Sequence, residues 1–262
     1  MSGIITEALG DIGRALRLRR VWMALAIEDI GDAHRRTTLG PAWILVNYLV
    51  FVGTFIVIFG PHMGGGNYPA YIAVGFLVWG YVSETIALGV TLFLREENFI
   101  KGTVLPLSTY VLRQTAQSLI RSSYALVGCV AILAWSGVAV TPAWLAALPG
   151  ILLIVVTGPA AVLVFAMCGT FFPDMQFVIG NVMRLMLFVT PVIWADGGGS
   201  DLRALLYHYN PVTHFLDIVR VPVLDGVVPV QSFVFAALTA LALWLLAILL
   251  LGRFRRRIVF LL

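Results

Sequence analysis

Charge is what this chain has least of: only 11% of its 262 residues are Asp, Glu, Lys or Arg, against 60% hydrophobic residues. That leaves too little polar surface to coat a soluble globule. It has two cysteines, Cys129 and Cys168, both inside apolar runs, where they read as small buried hydrophobes rather than as a disulfide or metal pair. Catalytic signatures are missing too. The chain has no Gly-rich phosphate loop ending in Lys-Ser/Thr, no His-Glu-x-x-His pair and no Gly-x-Ser-x-Gly elbow, so it carries no nucleotide-hydrolysing site, catalytic residue or metal site of its own. The net charge of +4 is no nucleic-acid footprint, because the basic residues cluster beside hydrophobic segments, where anionic lipid accounts for them.

What the chain does have is long uncharged stretches of roughly 20 residues, the length that crosses a bilayer core as a helix. An all-α polytopic membrane domain using the whole of 1–262 is expected, with spans at about 41–60, 69–94, 105–135, 143–172, 177–194 and 231–252. Residues 1–40 form a cytoplasmic interface region, 41–252 a six-span bundle and 253–262 a basic cytoplasmic tail. Six spans put both termini on one side. Arg14, Arg17, Arg19, Arg20, Arg35, Arg36, Arg95, Lys101 and the arginines of the 253–257 tail fall on that side, whereas the opposite loops carry only Arg203 and Arg220. The positive-inside rule makes both termini cytoplasmic.

Before the first span, Ile12 to Ile30 mixes arginines with Ile12, Leu16 and Trp22 and reads as a helix on the membrane surface. A secretory signal is the rival, since Arg19-Arg20 precede the short apolar run Val21 to Ile27. Met63 to Asn67 and Asp196 to Ser200 read as glycine-rich turns on the outer face. Between spans five and six, about 35 residues stay moderately apolar and are broken by Pro211, Pro222 and Pro229. Leu202 to Leu206 and Thr213 to Val219 suit short re-entrant helices, which are tolerated where protein or a water-filled cavity covers them. A gate is one reading of this region and a plain outer cap the other.

Charges inside the spans are expensive and therefore informative. Counting up from the terminal face at the helical rise, Glu84 lies roughly 15 Å up span two, Arg113 roughly 12 Å up span three and Arg184 roughly 10–15 Å up span five. The shared depth suggests a structural Glu84–Arg113 ion pair; the alternative gives Arg184 or Arg113 to an anionic group on passing cargo. Arg113, Gln117 and Arg121 recur every four residues and form a polar stripe that cannot face lipid cheaply. The many aromatics of spans one and two serve packing and the interfacial belt, or stack on sugars where they face a cavity.

Thr38 to Trp43, Asn98 to Lys101, Phe172 to Met175 and Asn210 to His214, linked segments spread over about residues 35–225, together resemble the ABC-2 type polysaccharide export permeases, in particular the O-antigen exporter membrane subunits. Thr38-Leu39-Gly40-Pro41-Ala42-Trp43 is similar to that family's entrance to span one, and Asn98-Phe99-Ile100-Lys101 with Leu105-Pro106-Leu107 to its first cytoplasmic loop. Phe172-Pro173-Asp174-Met175 and Leu187 to Trp194 resemble its fifth-span signature, and Asn210-Pro211-Val212-Thr213-His214 with Ile218 to Pro222 its outer re-entrant region. The resemblance implies a homodimer enclosing a channel for a lipid-linked glycan. Two copies of a separate ABC ATPase subunit, which binds the ATP and Mg, would drive it, with no cofactor on this chain. It also implies that Arg95, Glu96, Glu97, Asn98, Phe99, Ile100 and Lys101 couple to the ATPase, with Phe99 and Ile100 exposed for contact. Trp43, Tyr48, Phe51, Arg184 and Phe188 become candidates for the channel or its entrance, and Tyr207, Tyr209, Asn210, Pro211 and His214 for an outer gate. Capsule polymer, teichoic acid and small drug-like molecules are the alternative cargoes. Pro173-Asp174-Met175-Gln176 leans towards the capsule exporters, and a polytopic membrane glycosyltransferase is the enzyme alternative.

Overall fold

The computed structural model describes residues 2–60, 67–195 and 202–262, and the chain is helical throughout these segments, with twelve helices and no strand. The expected glycine-rich turns lie outside the described residues apart from Asn67, whose side chain accepts from Ala70 N and starts the helix that follows.

Five helices are long and apolar enough to cross a membrane: α3 (Ala42–Phe59), α4 (Tyr68–Val90), α7 (Leu107–Trp135), α8 (Trp144–Phe171) and the Val230–Arg255 part of α12 (Val230–Leu261). With α1 (Ser2–Arg17), α2 (Arg19–His34), α5 (Leu92–Arg95), α6 (Glu97–Gly102), α9 (Met175–Val189), α10 (Leu202–Tyr209) and α11 (Pro211–Leu224), they complete the chain. The sixth expected span, 177–194, is the 15-residue α9. It stops at Val189 because Pro191 disfavours helical backbone in the residue before it, and Thr190 is extended. At roughly 22 Å, α9 is shorter than a bilayer core of roughly 30 Å.

The central pair is α4 and α8, the most deeply buried of the apolar helices. They run so close that a Cβ on Gly169 would collide with the Val90 carbonyl, and that approach lets the two backbones interlock. Pro159 inside α8 removes a helical donor. One residue along from the carbonyl that loses its partner, Val156 accepts a hydrogen bond of 3.0 Å from Trp244 Nε1 of α12.

Two clusters of buried apolar side chains divide the bundle lengthwise. One, with Leu92, Phe93, Leu107, Leu163 and Leu251, fills the end where both termini lie. The other, with Ile72, Trp79, Val192, Phe215 and Leu216, fills the opposite end and seats α11 against α4, α8 and α12. At the terminal end α1 packs on α7 and α12, and Asp11 accepts from Ser108 N at 3.0 Å and from Arg255 Nη1 at 3.4 Å. By contrast, α3 and α9 present open apolar faces, with Val57 and Phe188 among their most exposed residues. Such faces are stable only against lipid or another protein surface.

Candidate functional site

The two short helices α5 and α6, joined by a bend at Glu96, form the connection expected to couple. Because successive helical residues point 100° apart, Phe99 and Ile100 cannot face the same way. Phe99 is half exposed, whereas Ile100 is turned into the terminal-end core, which corrects the expectation that both are presented outward. Lys101 Nζ donates to Glu97 Oε1 at 2.6 Å one turn back, in an exposed pair that contributes a few tenths of a kcal/mol. Asn98 is exposed beside them. Arg95 donates from Nη2 to Gln114 Oε1 at 2.7 Å, tying the loop to α7.

The centre of this end is Arg113. Its Nε and Nη2 donate to both carboxylate oxygens of Asp29 on α2, at 2.6 and 2.7 Å, and its Nη1 donates to Glu96 Oε2 at 3.0 Å. The guanidinium lies 5.8 Å from the centre of the Phe99 ring, and Gln117 adds a hydrogen bond to Asp29. The planar fork of arginine suits such a bidentate grip, in which one side chain binds α2, the α5–α6 loop and α7 together.

This overturns the Glu84–Arg113 pair. Glu84 instead accepts from Arg121 Nε at 2.7 Å, two turns further along α7. Counting helical rise supplies depth but not azimuth, and Asp29, lying before the first span, never entered a comparison of membrane charges. Glu28-Asp29, two acids at the end of an otherwise basic segment, were the signal that could have found it.

Among the channel candidates, Trp43, Phe51 and Phe188 are exposed. Tyr48 is turned inward, its hydroxyl donating to Ala73 O at 2.7 Å across the α3–α4 contact. Arg184 is exposed on α9 and makes no ion pair among the described residues.

At the opposite end α10 and α11 form a helical pair broken at Asn210-Pro211, longer than the expected pieces but at their positions. Asn210 is buried: its Oδ1 accepts from Val212 N at 2.9 Å and its Nδ2 donates to Thr190 Oγ1 at 2.8 Å, pinning the turn to the end of α9. Pro211, at the first position of α11, needs no helical N–H there. Tyr209 is 80% exposed, and Tyr207 reaches inward to donate to Asp217 Oδ2 at 3.0 Å. His214 is 4% exposed. Its Nε2 lies 3.1 Å from His208 O, so Nε2 carries the proton and Nδ1 accepts from Ser232 Oγ at 3.2 Å. One ring face stacks on Phe235 at 4.5 Å. The expectation that His214 offers a flat ring to cargo is therefore corrected: both its nitrogens and one face are already occupied.

Sequence reasoning also missed Arg220 and Tyr71. The Arg220 guanidinium stacks 3.9 Å over the Tyr71 ring and donates to Pro191 O at 2.7 Å, while the Tyr71 hydroxyl lies 3.1 and 2.7 Å from the Pro191 and Trp194 carbonyls. A Cβ on Gly75 would stand 2.5 Å from Arg220 Nη2 and 3.1 Å from Val192 O, so any larger residue here would displace the guanidinium. Burial raises the Asp217 carboxyl above the ordinary range despite the opposing pull of Arg220 and the Tyr207 hydroxyl.

Apolar helices of spanning length, joined at one end by a charged loop and at the other by a buried helical pair, define a multi-pass membrane protein. The chain belongs to the ABC-2 type transporter family, whose model matches residues 21–224. The resemblance read from the sequence is thus borne out. The chain is 20% identical over 234 residues to an O-antigen export system permease protein RfbA of Klebsiella pneumoniae, covering 88% of this chain and 90% of that one. It is 21% identical over 193 residues to a second such Klebsiella pneumoniae permease, covering 72% and 74%. To an O-antigen export system permease protein RfbA of Myxococcus xanthus it is 25% identical over 211 residues, covering 76% and 78%.

Proposed function

We propose that the chain is the membrane-spanning subunit of an ATP-driven exporter that moves a lipid-linked polysaccharide, O-antigen, across the bacterial inner membrane. The observation that carries this reading is the similarity, along 72 to 88% of the chain, to permeases named for O-antigen export. The geometry supports it in three ways. A half-exposed Phe99 stands on a short loop that Arg113 binds to α2 and α7, a suitable place for a separate ABC ATPase, two copies of which would bind the ATP and Mg. Arg184 is an exposed cation on an apolar helix, a placement that lipid penalises and an aqueous channel between two copies of the chain relieves. The α10–α11 pair lies at the opposite end, where an outer gate belongs.

In this reading α9 and the chain after it complete a sixth span, and both termini are cytoplasmic. Closure of the ATPase pushes on α5–α6, and the Arg113 linkage carries that push to α2 and α7 together. A polymer too long for an enclosed pocket then threads the channel while its lipid anchor stays in the bilayer. The test is deletion of the gene followed by recovery of lipid-linked glycan. The glycan should accumulate on the cytoplasmic side, be relieved by the wild-type gene, and persist with Phe99→Asp although that variant inserts normally. Unchanged glycan distribution in the deletion strain would refute the cargo, and normal export by Phe99→Asp would refute the coupling role.

A further inference from the structure

At the terminal end, α1, the connection from α6 to α7 and the last part of α12 enclose a cavity of about 830 Å³. Four cations line it, Arg14, Arg17, Lys101 and Arg255, against one acid, Asp11. Asp11 is buried, its Oδ1 taken by Ser108 N–H, and its Oδ2 lies 3.4 Å from Arg255 and 3.8 Å from Arg14. Ion pairs this long position the two guanidinium groups at the rim without exhausting their donors. Arg17 makes no ion pair among the described residues, and Lys101 holds only the exposed Glu97. The cavity therefore carries a surplus of positive charge fixed around a concave space, whose remaining wall includes apolar Val104, Leu105 and Pro106.

Its depth in the membrane follows from the helices that end there. Leu107 is the first residue of α7, and Arg255 closes the apolar part of α12 that begins at Val230. At the helical rise, that part of α12 measures roughly 37 Å, longer than a hydrocarbon core of roughly 30 Å. The cavity thus stands at the level of the lipid headgroups. Arginine forks match phosphate oxygens two at a time, and the neighbouring apolar wall suits the start of an acyl chain.

We propose that this cavity seats the phosphodiester headgroup of an anionic membrane phospholipid, which bridges α1 to the end of α12 and the α6–α7 connection. The proposal needs only that the protein sits in a bilayer and is independent of the exported cargo. An acidic surface of a protein partner is the other conceivable occupant, but it needs neither a concave seat nor an apolar wall at headgroup depth.

The test uses the full-length permease purified in detergent, with bound lipid weighed by native mass spectrometry. Dioleoyl phosphatidylglycerol, dioleoyl phosphatidylcholine, polyprenyl phosphate and inorganic phosphate are offered in separate arms. Phosphatidylglycerol should be retained over phosphatidylcholine. Arg17→Gln, which breaks no ion pair, should weaken its retention about fivefold, from the contribution of one basic residue near an anionic lipid. The double variant R14Q/R17Q should weaken it further, while R35Q/R36Q, exposed arginines outside the cavity with the same loss of charge, should leave it unchanged. Equal losses in both double variants, or no loss in either, would overturn the proposal. So would a preference for polyprenyl phosphate, which would reassign the seat to a carrier lipid, or saturation by inorganic phosphate without selection for a lipid.

Discussion

Arg113 holds Asp29 by both carboxylate oxygens, across 84 residues of sequence, and so fastens the surface helix α2 to span three before either meets a partner. Asp29 is partly exposed and Arg113 nearly buried, so the pair is neither a screened surface contact nor a fully desolvated one. Asp29→Asn and Arg113→Gln should each cost about 2 kcal/mol, below the range for a fully buried pair. The double variant should cost less than the two together, with a coupling of about 1 kcal/mol between such neighbours. Thermal melts of the purified variants measure this, and strictly additive losses would mean that the contact contributes nothing.

A second cycle separates the two charge systems on α7. Glu84→Gln should couple to Arg121→Gln, whose Nε lies 2.7 Å from Glu84, and not to Arg113→Gln. Expression level and melting temperature across the three single and two double variants decide it. Coupling of Glu84 to Arg113 instead would restore the pairing suggested by depth alone.

Depth was legible in the sequence because hydropathy and helical rise are properties of one helix at a time. Azimuth was not, since the side of α7 that meets α4 depends on how the bundle packs. That is why Glu84, assigned to span two by hydropathy, lies on α4 yet was given the wrong partner. The break at Asn210-Pro211 was also legible, because proline punctuates wherever it falls. Arg220 was counted only as a loop cation. Its burial depends on Gly75 and Tyr71, about 150 residues away, and no local pattern announces such a contact.

The outer helices make a sharp labelling prediction. In a background with Cys129 and Cys168 replaced by alanine, Tyr209→Cys should react with a membrane-impermeant thiol reagent added from outside, because Tyr209 is open to solvent. His214→Cys should stay unreactive at rest and gain reactivity only during transport, if α10 and α11 move as a gate. Stalled polymer should protect Tyr209→Cys. A His214→Cys that stays unreactive during transport, with Tyr209→Cys labelled alike with or without cargo, would leave the segment as a static cap.

Asp217 gives a pH dependence whose sign can be worked out. Its carboxyl is raised by burial, so the folded protein holds that proton more tightly than the unfolded chain. The resulting stabilisation is complete below the unfolded value of about 3.9, and it is lost as pH rises through the raised folded value. Asp217→Asn, which mimics the protonated state, should therefore gain melting temperature relative to wild type as pH increases towards neutrality. A difference that stays flat with pH would show that the aspartate titrates normally.

The hydrogen bond between Asp11 and Arg255 spans 244 positions of the chain, which gives it a meaning for biogenesis. A ribosome delivers α1 long before α12, yet the surface that α1 covers is finished only when α12 is in place. Until then the Asp11 carboxylate has Ser108 of α7 but lacks its arginine from α12, and α1 is seated on one of its two partners alone. The contact thus acts as a clasp between α1 and α12 that closes only after every helix between them is in place.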